Sequence, residues 1–250
     1  MKIKAVPSPN FNDRKSPVDM LVLHYTGMQT GQAALERMCD PAAEVSAHYM
    51  VWEDGRVAQL VGEDKRAWHA GVSSWQGDGD LNSRSIGVEI VNGGHDWPMA
   101  DGRLPPYPKA QIEAVTTLCQ GILERHDIPQ SRIVGHSDIA PERKDDPGEH
   151  FPWQHMAEAG IGIWPEMPEA DGLNLIGRGL GQSDRGDSVE RLQGDLKAIG
   201  YAIESTGLYD LLTSKTVAAF QRRWLQDRVT GQADLPTLQR IALVRQALGR

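Results

Sequence analysis

Three scarcities bound what this chain can be. Its 250 residues hold only two cysteines, Cys39 and Cys119, far apart and without C-x-x-C spacing. That excludes a disulfide framework and a thiolate metal site. Cys119 lies among Ile112, Val115, Leu118 and Ile122 at helical spacing, and both thiols are read as inert core groups. No stretch approaches the roughly 18 consecutive apolar residues of a membrane-spanning helix. The start carries Lys2 and Lys4 but then Pro7, Ser8, Pro9 and Asn10, with no apolar segment of a secretory leader. The cytoplasm is therefore the expected compartment, with the periplasm as the alternative. Positive charge is also short: the formal net charge is -8. A surface that grips nucleic-acid phosphates needs clustered Lys and Arg, so nucleic acid is excluded as a partner.

What remains is an ordinary globular composition, 40% hydrophobic and 24% charged. The length favours one large unit plus a smaller one. Met20 to Tyr25 (MLVLHY) reads as a buried strand reaching the edge of a sheet. His48 to Trp52 and Arg56 to Val61 read as strands joined through Asp54-Gly55, a hairpin signal, and Ser85 to Val91 as another strand. Gln32 to Cys39 and Ala110 to His126 have helical periodicity. These features predict an α/β fold over residues 1–165, a mixed central sheet with flanking helices. Pro165, Pro168, Gly172, Gly177, Gly179, Gly181 and Gly186 mark a linker over 166–186. Over 187–250, Val189, Leu192, Leu196 and Ile199 repeat at helical spacing between cap candidates Asp187-Ser188 and Gly200. Helices opening near Thr213 and Pro236 complete a small three-helix domain.

Among eight histidines, two follow short apolar stretches that would carry them to strand ends: His24 after Met20 to Leu23, and His136 after Ile133-Val134-Gly135. His136 opens the run HSDIAPERKDDPG. There Pro147 disfavours a helical Asp146, and in an extended backbone Lys144 and Asp146 face one side while Asp145 faces the other. Two imidazoles and one carboxylate suit a zinc ion with an open fourth position, as in a catalytic site. Glu89, inside the apolar strand SIGVEIV, must be either paired or poised as a general base.

The segments MLVLHYT, VSAHYMVWEDG, AWHAG, NSRSIGVEI and HSDIAPERKDDPG, in this order, resemble the zinc N-acetylmuramoyl-L-alanine amidases related to phage amidase-lysozymes and animal peptidoglycan recognition proteins. The resemblance implies zinc on His24, His136 and Asp146, a catalytic Glu89 and an oxyanion-stabilising Lys144. It implies hydrolysis of the amide between N-acetylmuramic acid, or its anhydro form, and the first alanine of the stem peptide. A non-catalytic wall receptor on the same fold is the alternative, and a zinc peptidase acting within the stem peptide a third. His48 is read as structural and Trp68 and His69 as cleft wall. Asn82 and Arg84 are candidates to meet stem-peptide carboxylates or to cap loops. His95, His126, His150 and His155 are expected to be exposed. GDSVERLQGDLKAIGY, VAAFQRRW and VTGQADLPTLQRI resemble a three-helix peptidoglycan-binding domain. Such a domain implies a tethered module whose loss would spare cleavage of soluble muropeptides.

Overall fold

A computed structural model describes residues 2–167 and 178–250 of the chain. Residues 168–177 of the expected linker lie outside the described residues. One sheet of six strands forms the frame: β1 (Ile3–Ala5), β3 (Met20–Tyr25), β4 (Tyr49–Val51), β5 (Val57–Gln59), β7 (Ser85–Ile90) and β8 (Ile133–Gly135). Their spatial order is β1-β5-β4-β7-β3-β8. The hairpin pair β4 and β5 is antiparallel, and every other pair is parallel. β2 (Phe11–Asp13) and β6 (Lys65–Ala67) make a separate antiparallel pair. The hairpin turns at Gly55, whose φ of 83° suits glycine, and Asp54 accepts from the Arg56 amide at 3.1 Å.

β3 lies between β7 and the edge strand β8 and is buried on both faces, which is why its sequence is a continuous apolar run. Alternate side chains take opposite faces. Leu21 and Leu23 share a core with α2 (Lys109–Arg125), which contributes Ile112, Val115, Leu118, Cys119 and Ile122. Each large aliphatic side chain buried there contributes about 1.5–3 kcal/mol. On the other face, α1 (Gly31–Cys39) packs Ala34 and Met38 with Met50, Ala58 and Leu60. Thr30 caps α1 by accepting from the Ala33 amide. Cys119 is fully buried, and burial pushes its thiol up to about 12. Cys39 is only half-buried in the last turn of α1, so the reading of both thiols as core groups holds for Cys119 alone.

The remainder of this second face is covered by the C-terminal helices α5 (Asp187–Ile199), α6 (Leu211–Trp224) and α7 (Leu235–Ala247). Met20, Val22, Val134 and Ile139 lie in one apolar cluster with Leu196, Tyr201, Phe220 and Trp224. Asp210 and Asp234 cap α6 and α7 by accepting from Thr213 and Thr237 amides at 2.8 and 3.0 Å. The cap candidates Asp187-Ser188 instead form the first turn of α5; its N-cap is Gly186, at φ 105°, and it ends at Gly200. Among the described residues no helix is long and apolar enough to cross a membrane.

Candidate active site

The parallel strands place the polar residues of the second face at their carboxyl ends, where open α/β sheets place their ligand sites. In register, His24 of β3 lies beside Glu89 of β7, and Leu23 lies beside Gly135 of β8. His136 follows at once, opening the single turn α3 (His136–Ile139). The loop after α3 returns Asp146 to the same point. His24 Nδ1 is 2.9 Å from Asp146 Oδ2 and 3.0 Å from His136 Nδ1, and His136 Nδ1 is 3.1 Å from Asp146 Oδ2.

The outer nitrogens decide where the protons are. His136 Nε2 lies 3.1 Å from the Ala70 carbonyl, which can only accept, so the neutral ring carries its proton on Nε2 and leaves Nδ1 bare. Ser85 donates to the Leu81 carbonyl at 2.7 Å and therefore accepts from His69 Nε2 at 3.2 Å. His69 Nδ1 is then the acceptor for His24 Nε2–H at 3.0 Å, and His24 Nδ1 is also bare. Burial, with His136 beside it, pushes His24 down to about 4. Burial alone would raise Asp146; when an imidazole beside it carries a second proton, that charge and N–H bond, His136 first, hold the carboxyl well below the usual carboxylate range. Three proton-free donors thus face one another in a buried pocket, an arrangement that repels itself unless a cation sits between them. His24, His136 and Asp146 could hold a metal ion. Bonds from the outer nitrogens to fixed acceptors are what orient metal-binding imidazoles.

Among the described residues Glu89 has no ion-pair partner, and its Oε2 is buried without a hydrogen bond. Burial, reinforced by Asp146, raises its carboxyl well above the ordinary value, and Lys144 opposes the shift. A cleft of about 300 Å³ opens over these groups, walled by α1 residues Ala34, Arg37 and Met38 and by Arg143, Lys144 and Asp145.

The sequence profile of the N-acetylmuramoyl-L-alanine amidase family matches residues 14–149, more than half of the chain. The chain belongs to this family. A peptidoglycan-binding-domain profile matches residues 185–241. AmiD of Escherichia coli (strain K12), an N-acetylmuramoyl-L-alanine amidase, is 35% identical over 229 residues, covering 88% of this chain and 79% of AmiD. The 1,6-anhydro-N-acetylmuramyl-L-alanine amidase AmpD of Enterobacter cloacae is 38% identical over 172 residues, 60% of this chain and 86% of AmpD. The structure of Escherichia coli AmiD with anhydro-N-acetylmuramic acid-L-Ala-D-gamma-Glu-L-Lys superposes with a TM-score of 0.79 at 34% identity, covering 93% of this chain and 90% of that one. Pseudomonas aeruginosa AmpDh3 in complex with anhydromuramic pentapeptide gives 0.77 at 32%, covering 92% of each chain.

In this amidase Trp68 and His69 do line the cleft. His69, however, is buried and occupied with His24 and Ser85, and its ring lies so close to Gly87 that a Cβ there would meet it at 2.5 Å. Asn82 and Arg84 are not brought to the cleft. The Asn82 side chain accepts from the His69 and Ala70 amides at 2.9 and 2.8 Å, which holds the loop that presents His69. Arg84 pairs with Asp19 and with Asp78, the latter at 2.9 Å. Arg84→Ala is accordingly expected to lower unfolding free energy by about 1 kcal/mol while leaving KM for a soluble muropeptide unchanged. Denaturant unfolding alongside steady-state kinetics checks this.

Of the four histidines expected to be exposed, only His155 is. His95 bonds Glu149, which raises its pKa; His126 bonds Glu63 at 2.8 Å; and His150 stacks on Tyr107 with centroids 4.7 Å apart. The His95 and His126 partners lie 54 and 63 residues away, beyond any local pattern. His48 is fully buried and accepts from the Gly87 amide at 2.9 Å, a structural role. Tyr25, Arg37, His95 and Arg143 also line the cleft without having stood out in the sequence. Arg143, within the HSDIAPERKDDPG run, was the one with a usable signal.

Proposed function

We propose that this amidase works with one zinc ion held by His24 Nδ1, His136 Nδ1 and Asp146 Oδ2, on a catalytic domain spanning residues 1–165. The three donor atoms within 2.9–3.1 Å of each other, with the outer imidazole nitrogens already bonded elsewhere, are the observation that carries this reading. Such an ion, when bound, would supply a lowered water pKa and a polarised carbonyl. Glu89 stands one strand over from His24, with a buried oxygen that has no partner. Its raised pKa suits it to take the proton of the attacking water and return it to the departing L-alanine amine. Lys144, which also lines the cleft, donates to the oxyanion that develops on the lactyl carbonyl. Trp68 contributes an aromatic side chain to the cleft lining.

The bond cut is the amide joining N-acetylmuramic acid to L-alanine. The anhydro-muropeptides bound by the AmiD and AmpDh3 structures support anhydro-muropeptide as a substrate here. Residues 187–250, beyond a linker over 166–186, form a peptidoglycan-binding helical domain that retains the enzyme on wall material. Mass spectrometry of a digest should show the intact stem peptide released with a free L-alanine terminus. Peptides cut within the stem, with sugar still attached, would sink the assignment.

A further inference from the structure

The segment from Ile133 to Trp153 carries His136, Lys144 and Asp146, yet between α3 and α4 (Trp153–Glu158) it has no regular structure. An irregular loop holds a site to the required tolerance only if something outside it fixes its backbone. Here the outside support comes from the end of α6. Arg223 donates to the Ile133 carbonyl at 2.8 Å and to Asp138 Oδ2 at 3.0 Å, with its guanidinium 4.5 Å from both the Trp153 and Trp224 rings. Asp138 also accepts from the Gly135 amide at 2.9 Å, directly before His136, and from the Tyr201 hydroxyl at 2.7 Å. Arg222 pairs with Asp145, between Lys144 and Asp146, at 2.7 Å. Gln226 donates to the Phe151 carbonyl at 2.6 Å and to that of Glu149. Three side chains within five positions thus hold the entry, the middle and the exit of the loop.

The charges show that this is not a loose contact. Asp138 and Arg223 are 1% and 4% exposed, and either one alone would be an uncompensated buried charge. The wall-binding helices therefore complete the hydrogen bonding of the loop as well as covering the apolar second face of the sheet.

We propose that the C-terminal domain is a working part of the amidase site: Arg222, with Arg223 and Gln226, positions the loop bearing Lys144 and the metal-binding Asp146. Hydrolysis of soluble substrate, and not only retention on the wall, depends on it. This rests on the roles assigned above to His136, Lys144 and Asp146. It departs from the view of a tethered module whose loss spares soluble cleavage.

Arg222 offers the cleanest test, since its pair with Asp145 is partly solvated and its loss should not unfold the chain. In the full-length zinc enzyme acting on a soluble anhydro-muropeptide, Arg222→Gln should lower kcat about tenfold and weaken zinc in chelator competition about tenfold, the effect of removing an outer support of a metal ligand. KM should stay nearly constant, and Tm should fall by no more than about 2–4 °C. Arg222→Lys should restore much of the lost turnover and zinc affinity. If kcat and zinc affinity of Arg222→Gln both match the unmodified enzyme, or if they fall only in proportion to lost folded protein, the positioning role is wrong. Asp146→Ala serves as the control. If that variant cleaves normally, the metal-site reading itself has failed and takes this inference with it; if it is dead while Arg222→Gln is silent, only the inference fails.

Discussion

Asp146→Ala is expected to lose zinc and activity together, and the unmodified enzyme is expected to carry about one zinc per chain. Asp146 supplies the one negative charge of the donor set, and its Oδ2 lies 2.9 and 3.1 Å from the two bare imidazole nitrogens. Without it two neutral nitrogens remain, too few to hold the ion in a closed three-donor pocket. The neighbouring Asp145→Ala sets the contrast, because that carboxylate turns to Arg222 and not to the histidines. It should keep its zinc, held more weakly for want of the Arg222 pair. A strong chelator should stop cleavage by the unmodified enzyme, and added zinc should restore it. Metal analysis of the purified variants decides the register: zinc lost from Asp145→Ala and kept in Asp146→Ala would refute it. Full activity in metal-free protein would refute the zinc requirement altogether.

Much of this arrangement was legible in the sequence because it is encoded locally. MLVLHY is a strand over the expected residues, since burial on both faces leaves a continuous apolar run that few other structures need. Apolar spacing located α2 and α5 to within a few residues, and Gly200 marked the end of α5. Two apolar runs that each lead to a histidine marked His24 and His136 in the sequence, and the family resemblance joined them to Asp146, but the parallel pairing that sets β3 beside β8 was not legible there. What stayed hidden depends on partners distant in sequence. Arg84 was a candidate for stem-peptide carboxylates or for capping a loop, but its position is set by Asp19, 65 residues away. His69 was read as a cleft wall, and its bond to His24 follows from the loop that Asn82 pins. The pairing of Asp138 with Arg223 spans 85 residues and joins two regions with separate family resemblances. Read one domain at a time, each of those charges looks like a solvated surface group.

Glu89→Gln and Lys144→Ala are expected to keep zinc yet lower kcat by about a hundredfold or more, the scale of a lost general base or oxyanion donor. Neither residue belongs to the donor set, so metal content should be unaffected, which separates chemistry from scaffolding. Glutamine keeps the shape of Glu89 but cannot take a proton, and its amide still fits the site where Oε2 has no protein partner. Burial keeps Glu89 high in pKa, and the Lys144 charge opposes that shift. Lys144→Ala should therefore raise the Glu89 pKa further and move the acidic limb of the kcat profile to higher pH, as well as removing a donor. Both variants lose interactions that strengthen only as the amide becomes tetrahedral, so kcat should fall much more than KM changes. If Glu89→Gln turns over at nearly the normal rate with zinc in place, the proton is being carried by another group. Tyr25, which also lines the cleft, would then be the next residue to replace. If Lys144→Ala is the silent variant, the oxyanion must be met elsewhere on the same wall, where the Arg143 guanidinium already bonds the Ala70 and Val72 carbonyls.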